Sequence, residues 1–87
     1  MKEMHRRYTL HDGTILSIQA SDGHYSTPRN NIGPYTAAEV HVVLGIGPDD
    51  WGAYEDGEEG AYYGYVPIDL IEKFIADRGG IDLGIML

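Results

Sequence analysis

PIDLIEKFIADRGG, residues 67 to 80, is the stretch whose reading decides the fold. Pro67 suits a first helical turn, where its missing N–H would have no partner anyway, and Gly79-Gly80 suits an end closed by left-handed backbone. Between them Ile68, Ile71, Phe74 and Ile75 recur at helical spacing and make one apolar face. The pattern predicts a helix over residues 67 to 78, and that face must be buried against something.

Outward from the helix the chain reads as strands. YYGYV, residues 62 to 66, precedes it, with Tyr63 and Tyr65 expected on one side and Tyr62 and Val66 on the other. IDLGIML follows it, and the alternation of Ile81, Leu83, Ile85 and Leu87 predicts a closing strand. Near the N-terminus RRYTL and TILSIQA flank an Asp12-Gly13 turn and read as a hairpin, with Tyr8 and Leu10 alternating before it and Leu16, Ile18 and Ala20 after it. TAAEVHVVL predicts a third strand, with Val40, Val42 and Leu44 on one face and Glu39 and His41 on the other. SDGHYSTPRNNIGPY, residues 21 to 35, is rich in turn formers and should be an irregular connection. Strands and one helix without βαβ alternation predict an α+β fold: a mostly antiparallel sheet of four to five strands packed on one α-helix, residues 67-78, in a single domain over residues 1-87.

The 87 residues include no cysteine, which excludes disulfides and thiolate metal sites and points to a cytoplasmic protein. MKEMHRRY has no apolar run behind its charges, so neither a signal peptide nor a membrane anchor is expected. The net charge of −8 is unevenly spread, because residues 30 to 72 hold nine Asp and Glu and no Lys or Arg. Phosphate affinity comes largely from Lys and Arg, so direct nucleic-acid binding is not expected, and a basic protein surface is the natural complement. The chain is expected as a monomer or small homo-oligomer.

The acids concentrate in GPDDWGAYEDGEEGAYYGY, residues 47 to 65. An EF-hand frame that puts Gly57 at the sixth position puts Gly52 at the first, where a carboxylate is needed. His5, His11, His24 and His41 have no i, i+4 pairing, so no metal is expected. Ser17, Ser21 and Ser26 near His24 lack a nucleophile-elbow motif, and the glycines at 45, 47, 52, 57, 60 and 64 make no phosphate-binding fingerprint. The expectation is a protein that is not an enzyme and carries no cofactor.

Two readings of the aromatic and acidic residues stay open at this point. Trp51, Tyr54, Tyr62, Tyr63 and Tyr65 either anchor an interface or fill the core. The carboxylates are either a solvated loop or a phosphate mimic, since alternate side chains of an extended chain lie about 6.6 Å apart, near the spacing of successive phosphates. The mimic reading gives Asp49, Asp50, Trp51, Tyr54, Glu55, Asp56, Glu58, Glu59 and Tyr62 as partner-binding residues. A competing reading uses HYSTPR, in which His24, Tyr25 and Arg29 would hold the phosphate and base of a nucleotide.

LSIQASDGHYSTPR, residues 16 to 29, and YGYVPIDLIEKFIADRGGI, residues 63 to 81, resemble short proteins encoded by phages and prophages. In its size, acidity and lack of a catalytic signature the chain is similar to anti-CRISPR proteins. That resemblance implies an inhibitor in the host bacterial cytoplasm that binds a Cas effector complex and blocks target DNA binding by DNA mimicry. A Cas effector presents Lys- and Arg-lined channels for its nucleic acids, which carboxylates would occupy. The alternative it leaves is a small-molecule-binding module that sequesters a nucleotide defence signal.

Overall fold

The computed structural model describes residues 4–56 and 61–82. Four strands, β1 (Met4–Thr9), β2 (Ile15–Ala20), β3 (Ala37–Leu44) and β4 (Tyr62–Pro67), form one sheet in the order β1-β2-β3-β4, with every neighbouring pair antiparallel. A 3-10 helix (Asp49–Tyr54) lies between β3 and β4, and α1 (Ile68–Asp77) follows β4 directly. The expected α+β architecture is the observed one, with four strands among the described residues.

The first hairpin follows its sequence closely. Leu10 N–H donates to Thr14 O at 2.7 Å and Gly13 takes a φ of 94°, the left-handed conformation that a glycine adopts without steric cost. Leu16, Ile18 and Ala20 point into the core, and the residues between them do not. Asp12 accepts from the Thr14 N–H at 2.9 Å; with the Thr14 hydroxyl and nearby Arg78, this holds its carboxyl below the usual 3.8.

The helix also ends where its glycines stand. Gly80 N–H donates to Ile75 O at 2.8 Å, and Gly79 and Gly80 have φ of 91° and 85°. Ile71 and Phe74 are buried, while Ile68 and Ile75 pack on the edge of the core. Arg78, at the cap, lies over the Phe74 ring at 4.5 Å and donates to Thr14 Oγ1 at 3.1 Å and to the Ile46 carbonyl at 2.7 Å. One side chain thus ties the helix end to the hairpin turn and to the segment leaving β3.

Two bulges break the expected alternation. Leu16 pairs with Val42 but Ile15 pairs with Leu44, so β3 carries an extra residue and Leu44 emerges 59% exposed instead of joining Val40 and Val42 in the core. Ala38 pairs with Val66 while Val40 pairs with Tyr63, so Gly64 and Tyr65 together oppose Glu39. Tyr65 takes a φ of 56°, unusual for a non-glycine residue. The expected faces of β4 are therefore wrong: Tyr63 and Val66 are both buried, and Tyr62 and Tyr65 are both exposed. A half-turn of pleat is absorbed at Gly64, where there is no side chain to misplace.

The connection from 21 to 35 has no strand of its own, as expected, but is well tied. The buried Ser26 hydroxyl donates to Ser21 O at 3.1 Å, the Tyr35 hydroxyl donates to Asn30 O at 2.7 Å, and Thr27 bridges Ala37. At the C-terminal end Ile81 bridges Leu10 and Asp82 N–H donates to Thr9 O at 2.8 Å. Most of the expected closing strand, residues 83–87, lies outside the described residues.

Candidate functional site

The acidic segment is ordered around one residue. Trp51 is 3% exposed, with its ring edge-on to Tyr63 at 5.4 Å and tilted against Phe74 at 5.1 Å. Of the two readings open for this indole, it takes the core, which removes it from the partner-binding residues of the mimic reading; burying that much apolar area is worth more than displaying it. What Trp51 does for the surface is indirect. It nails down the 3-10 helix and so positions the exposed carboxylates of Asp49 and Asp50 at its start and of Glu55 and Asp56 at its exit.

That geometry corrects the phosphate-spacing argument. Residues 49 to 54 are helical rather than extended, and a 3-10 helix rises only about 2 Å per residue, so the acids form two pairs roughly 10 to 12 Å apart along the axis. Glu55 and Asp56 are extended: Glu55 bridges Tyr63, and Asp56 N–H donates to Tyr62 O at 2.8 Å. Glu58 and Glu59 lie outside the described residues. Among the described residues none of the four carboxylates makes an ion pair.

The two pairs face different surroundings. Asp49 borders a hollow with Asp12, Thr14 and Arg78, and Asp50 borders a groove with Lys73 and Asp77. Glu55 and Asp56, together with Tyr54, line a cleft of about 330 Å³ whose other walls are Ala53, Gly64, Tyr25 and Tyr65. Tyr62 is not among the walls of this cleft, its ring being stacked on His41 at 4.0 Å. Burial, and then the charges of Glu55 and Asp49, raise the Tyr63 phenol above its ordinary 10.0.

The competing nucleotide residues are only partly assembled. Arg29 lies over the Tyr25 ring at 5.2 Å, but His24 bonds to Ser21 and sets its ring edge toward His5 at 5.4 Å. Tyr25 stacks on Tyr65 at 5.5 Å with 19° between the planes. Any phosphate brought to the cleft beside these rings would meet Glu55 and Asp56.

Tyr65, left open between interface and core, belongs to neither of the two residue sets that the sequence proposed. The available signal was Gly64 within a run of strand formers, since a glycine inside a strand marks a bulge or a close approach. Both apply here, because a Cβ at Gly64 would lie 3.0 Å from the Cβ of Tyr25.

Among the described residues no group of three His, Asp or Glu side chains converges to hold a metal, and no helix is long and apolar enough to cross a membrane. No family model matches the chain, and no curated protein or solved structure is detectably similar to it.

Proposed function

We propose that the chain is a non-enzymatic inhibitor of the anti-CRISPR kind, which binds a basic surface of a Cas effector complex and keeps target DNA from it. The observation that carries this reading is the Trp51-anchored turn, which holds Asp49, Asp50, Glu55 and Asp56 exposed and without ion pairs among the described residues. Asp49 and Asp50 suit the start of the helical turn and Asp50 shares a groove with Lys73, yet four exposed carboxylates on one short segment still leave a negative surface that speeds and orients docking on a positively charged channel. Since the acids form two pairs, one at the start of a helical turn and one on the extended chain after it, rather than a regular row, the mimicry lies in charge and not in a copied phosphate spacing.

The test is competition between the purified chain and target DNA for a panel of Cas effectors from a bacterial host. Inhibition should weaken as salt rises, because exposed charges are screened over about 8 to 10 Å at 0.1 to 0.15 M salt. The pair Asp49→Lys and Asp50→Lys should abolish it while the melting temperature stays close to that of the parent. An equally inhibitory charge-reversed chain, or capture of no effector, would remove this reading.

A further inference from the structure

Resting on the reading that the partner surface is basic, we infer that the cleft walled by Tyr25, Tyr54 and Tyr65 is the seat of one partner arginine. Its guanidinium lies along the tyrosine rings and pairs with Glu55 or Asp56.

The cavity sets the size of the occupant. About 330 Å³ is at the small end of ligand sites, suited to a side chain rather than to a dinucleotide or a folded segment. Its chemistry sets the charge, since among the described residues the ionised groups on its walls are two carboxylates, Glu55 and Asp56. A nucleotide would find rings for its base there but repulsion for its phosphate. A cation finds the aromatic walls of Tyr54 and Tyr65 and counter-charge, since Tyr25 is already stacked on Tyr65 and covered by Arg29.

Guanidinium fits better than ammonium. It is planar, weakly hydrated and able to stack while its edge donates two parallel hydrogen bonds to a carboxylate. The molecule already holds one such group on Tyr25, because its own Arg29 lies 5.2 Å from that ring's centroid.

The walls are built in advance. Tyr65 N–H donates to Tyr25 O at 2.8 Å, and Tyr25 N–H donates to Glu39 Oε2 at 3.1 Å. Gly64 lets Tyr25 approach to a distance that any side chain there would crowd. The left-handed Tyr65 turns its ring outward at the bulge, where a regular strand residue would break the ladder. Non-glycine residues in this conformation cluster where a site needs a side chain aimed against the local pleat.

The experiment titrates the full chain with acetyl-Gly-Arg-Gly-amide, its citrulline counterpart and AMP, reading the ring resonances of Tyr25, Tyr54 and Tyr65 by NMR. The arginine peptide should give saturable shifts at these rings, and citrulline should bind about tenfold more weakly for want of the charge. Tyr65→Asn, which tolerates the left-handed backbone but removes the ring, should weaken binding about fivefold, and Tyr65→Phe should not. Equal binding of citrulline, shifts produced by AMP instead, or undiminished binding by Tyr65→Asn would each overturn the assignment. Partner capture separates the two readings. If Tyr65→Asn captures the effector as well as the parent while Asp49→Lys with Asp50→Lys does not, the arginine seat is wrong and the basic partner stands. If the charge-reversed chain still captures it, the basic-partner reading fails whatever the peptide does.

Discussion

Strands β2 and β4 are both read as an alternation of inward and outward residues, yet only β2 obeys it throughout. In β2 the sequence Leu16, Ser17, Ile18, Gln19, Ala20 goes strictly in and out. In β4 the sequence Tyr63, Gly64, Tyr65, Val66 goes in, in, out, in, since Gly64 and Tyr65 share one position of the ladder. The comparison teaches that one residue of bulge reassigns a whole set of tyrosines: Tyr63 goes to the core with Trp51, and Tyr65 goes to the surface with Tyr25. Both strands contribute to the core, and the irregular one also supplies the candidate site.

The largest effects should come from the core that both strands share. Phe74→Ala and Trp51→Ala each remove a ring from the Trp51, Tyr63, Phe74 cluster, and loss of a buried aromatic costs about 3 to 5 kcal/mol. For a domain with about 5 to 15 kcal/mol in total, either change should lower the melting temperature sharply. If Trp51→Ala melts with the parent and only partner binding falls, the indole is an interface anchor after all and the contrast between the strands fails.

Gly47→Ala should come next. A Cβ there would overlap the Tyr63 hydroxyl, which is held from below by the core, so something must shift. Overpacking of this kind costs about 1 to 3 kcal/mol, seen as a lower midpoint in denaturant with an unchanged slope. Gly52→Ala is the control, because nothing lies within 4 Å of a Cβ at that position.

Tyr63 also gives the irregular strand a pH dependence. Its folded pKa is raised above 10.0, first by burial and then by Glu55 and Asp49. The unfolded chain therefore loses this proton at lower pH than the folded chain does. The stability it contributes is complete below 10.0 and is lost as pH rises through the folded value. Tyr63→Phe should flatten the fall in stability above about pH 10, whatever it does to stability at neutral pH. An unchanged slope would mean that the phenol ionises without cost and is not closed off from water.

How much of this was legible follows from the physics of each element. The helix announced itself because Ile68, Ile71, Phe74 and Ile75 repeat with its own period, and its ends carry residues that only ends accept. The hairpin did so because Asp12-Gly13 fits one turn and little else. The fate of Trp51 was not legible: it stands alone among acids and glycines, and a single aromatic has no period. Nor was the 3-10 helix, which is too short to show one. The faces of β4 were misread because a two-residue period carries no record of a slip, and Gly64, the only mark of it, is one of twelve glycines in the chain. Of the partner-binding residues picked out by charge and aromaticity, Tyr54, Glu55 and Asp56 do share one cleft, but with Tyr25 and Tyr65, whose approach depends on long-range pairing.

The smallest effect is the most informative about the bulge itself. A left-handed tyrosine costs about 1 kcal/mol relative to a residue at ease there, and its stack on Tyr25 returns about 0.5 to 1.5 kcal/mol. In Tyr65→Asn these two nearly cancel, so the variant should unfold within about 0.5 kcal/mol of the parent. Valine at the same position should be worse by a further 1 to 2 kcal/mol or so, because a β-branched side chain is a poor fit to a φ of 56°. At Ser17, an outward position of the regular hairpin, the same valine should be neutral or slightly favourable, since there the backbone is ordinary strand. Denaturant unfolding of the three variants measures the contrast directly. If valine is tolerated equally at both positions, β4 is a plain strand in solution, Tyr65 has no special backbone, and the tyrosine-walled cleft loses the feature that aims its ring.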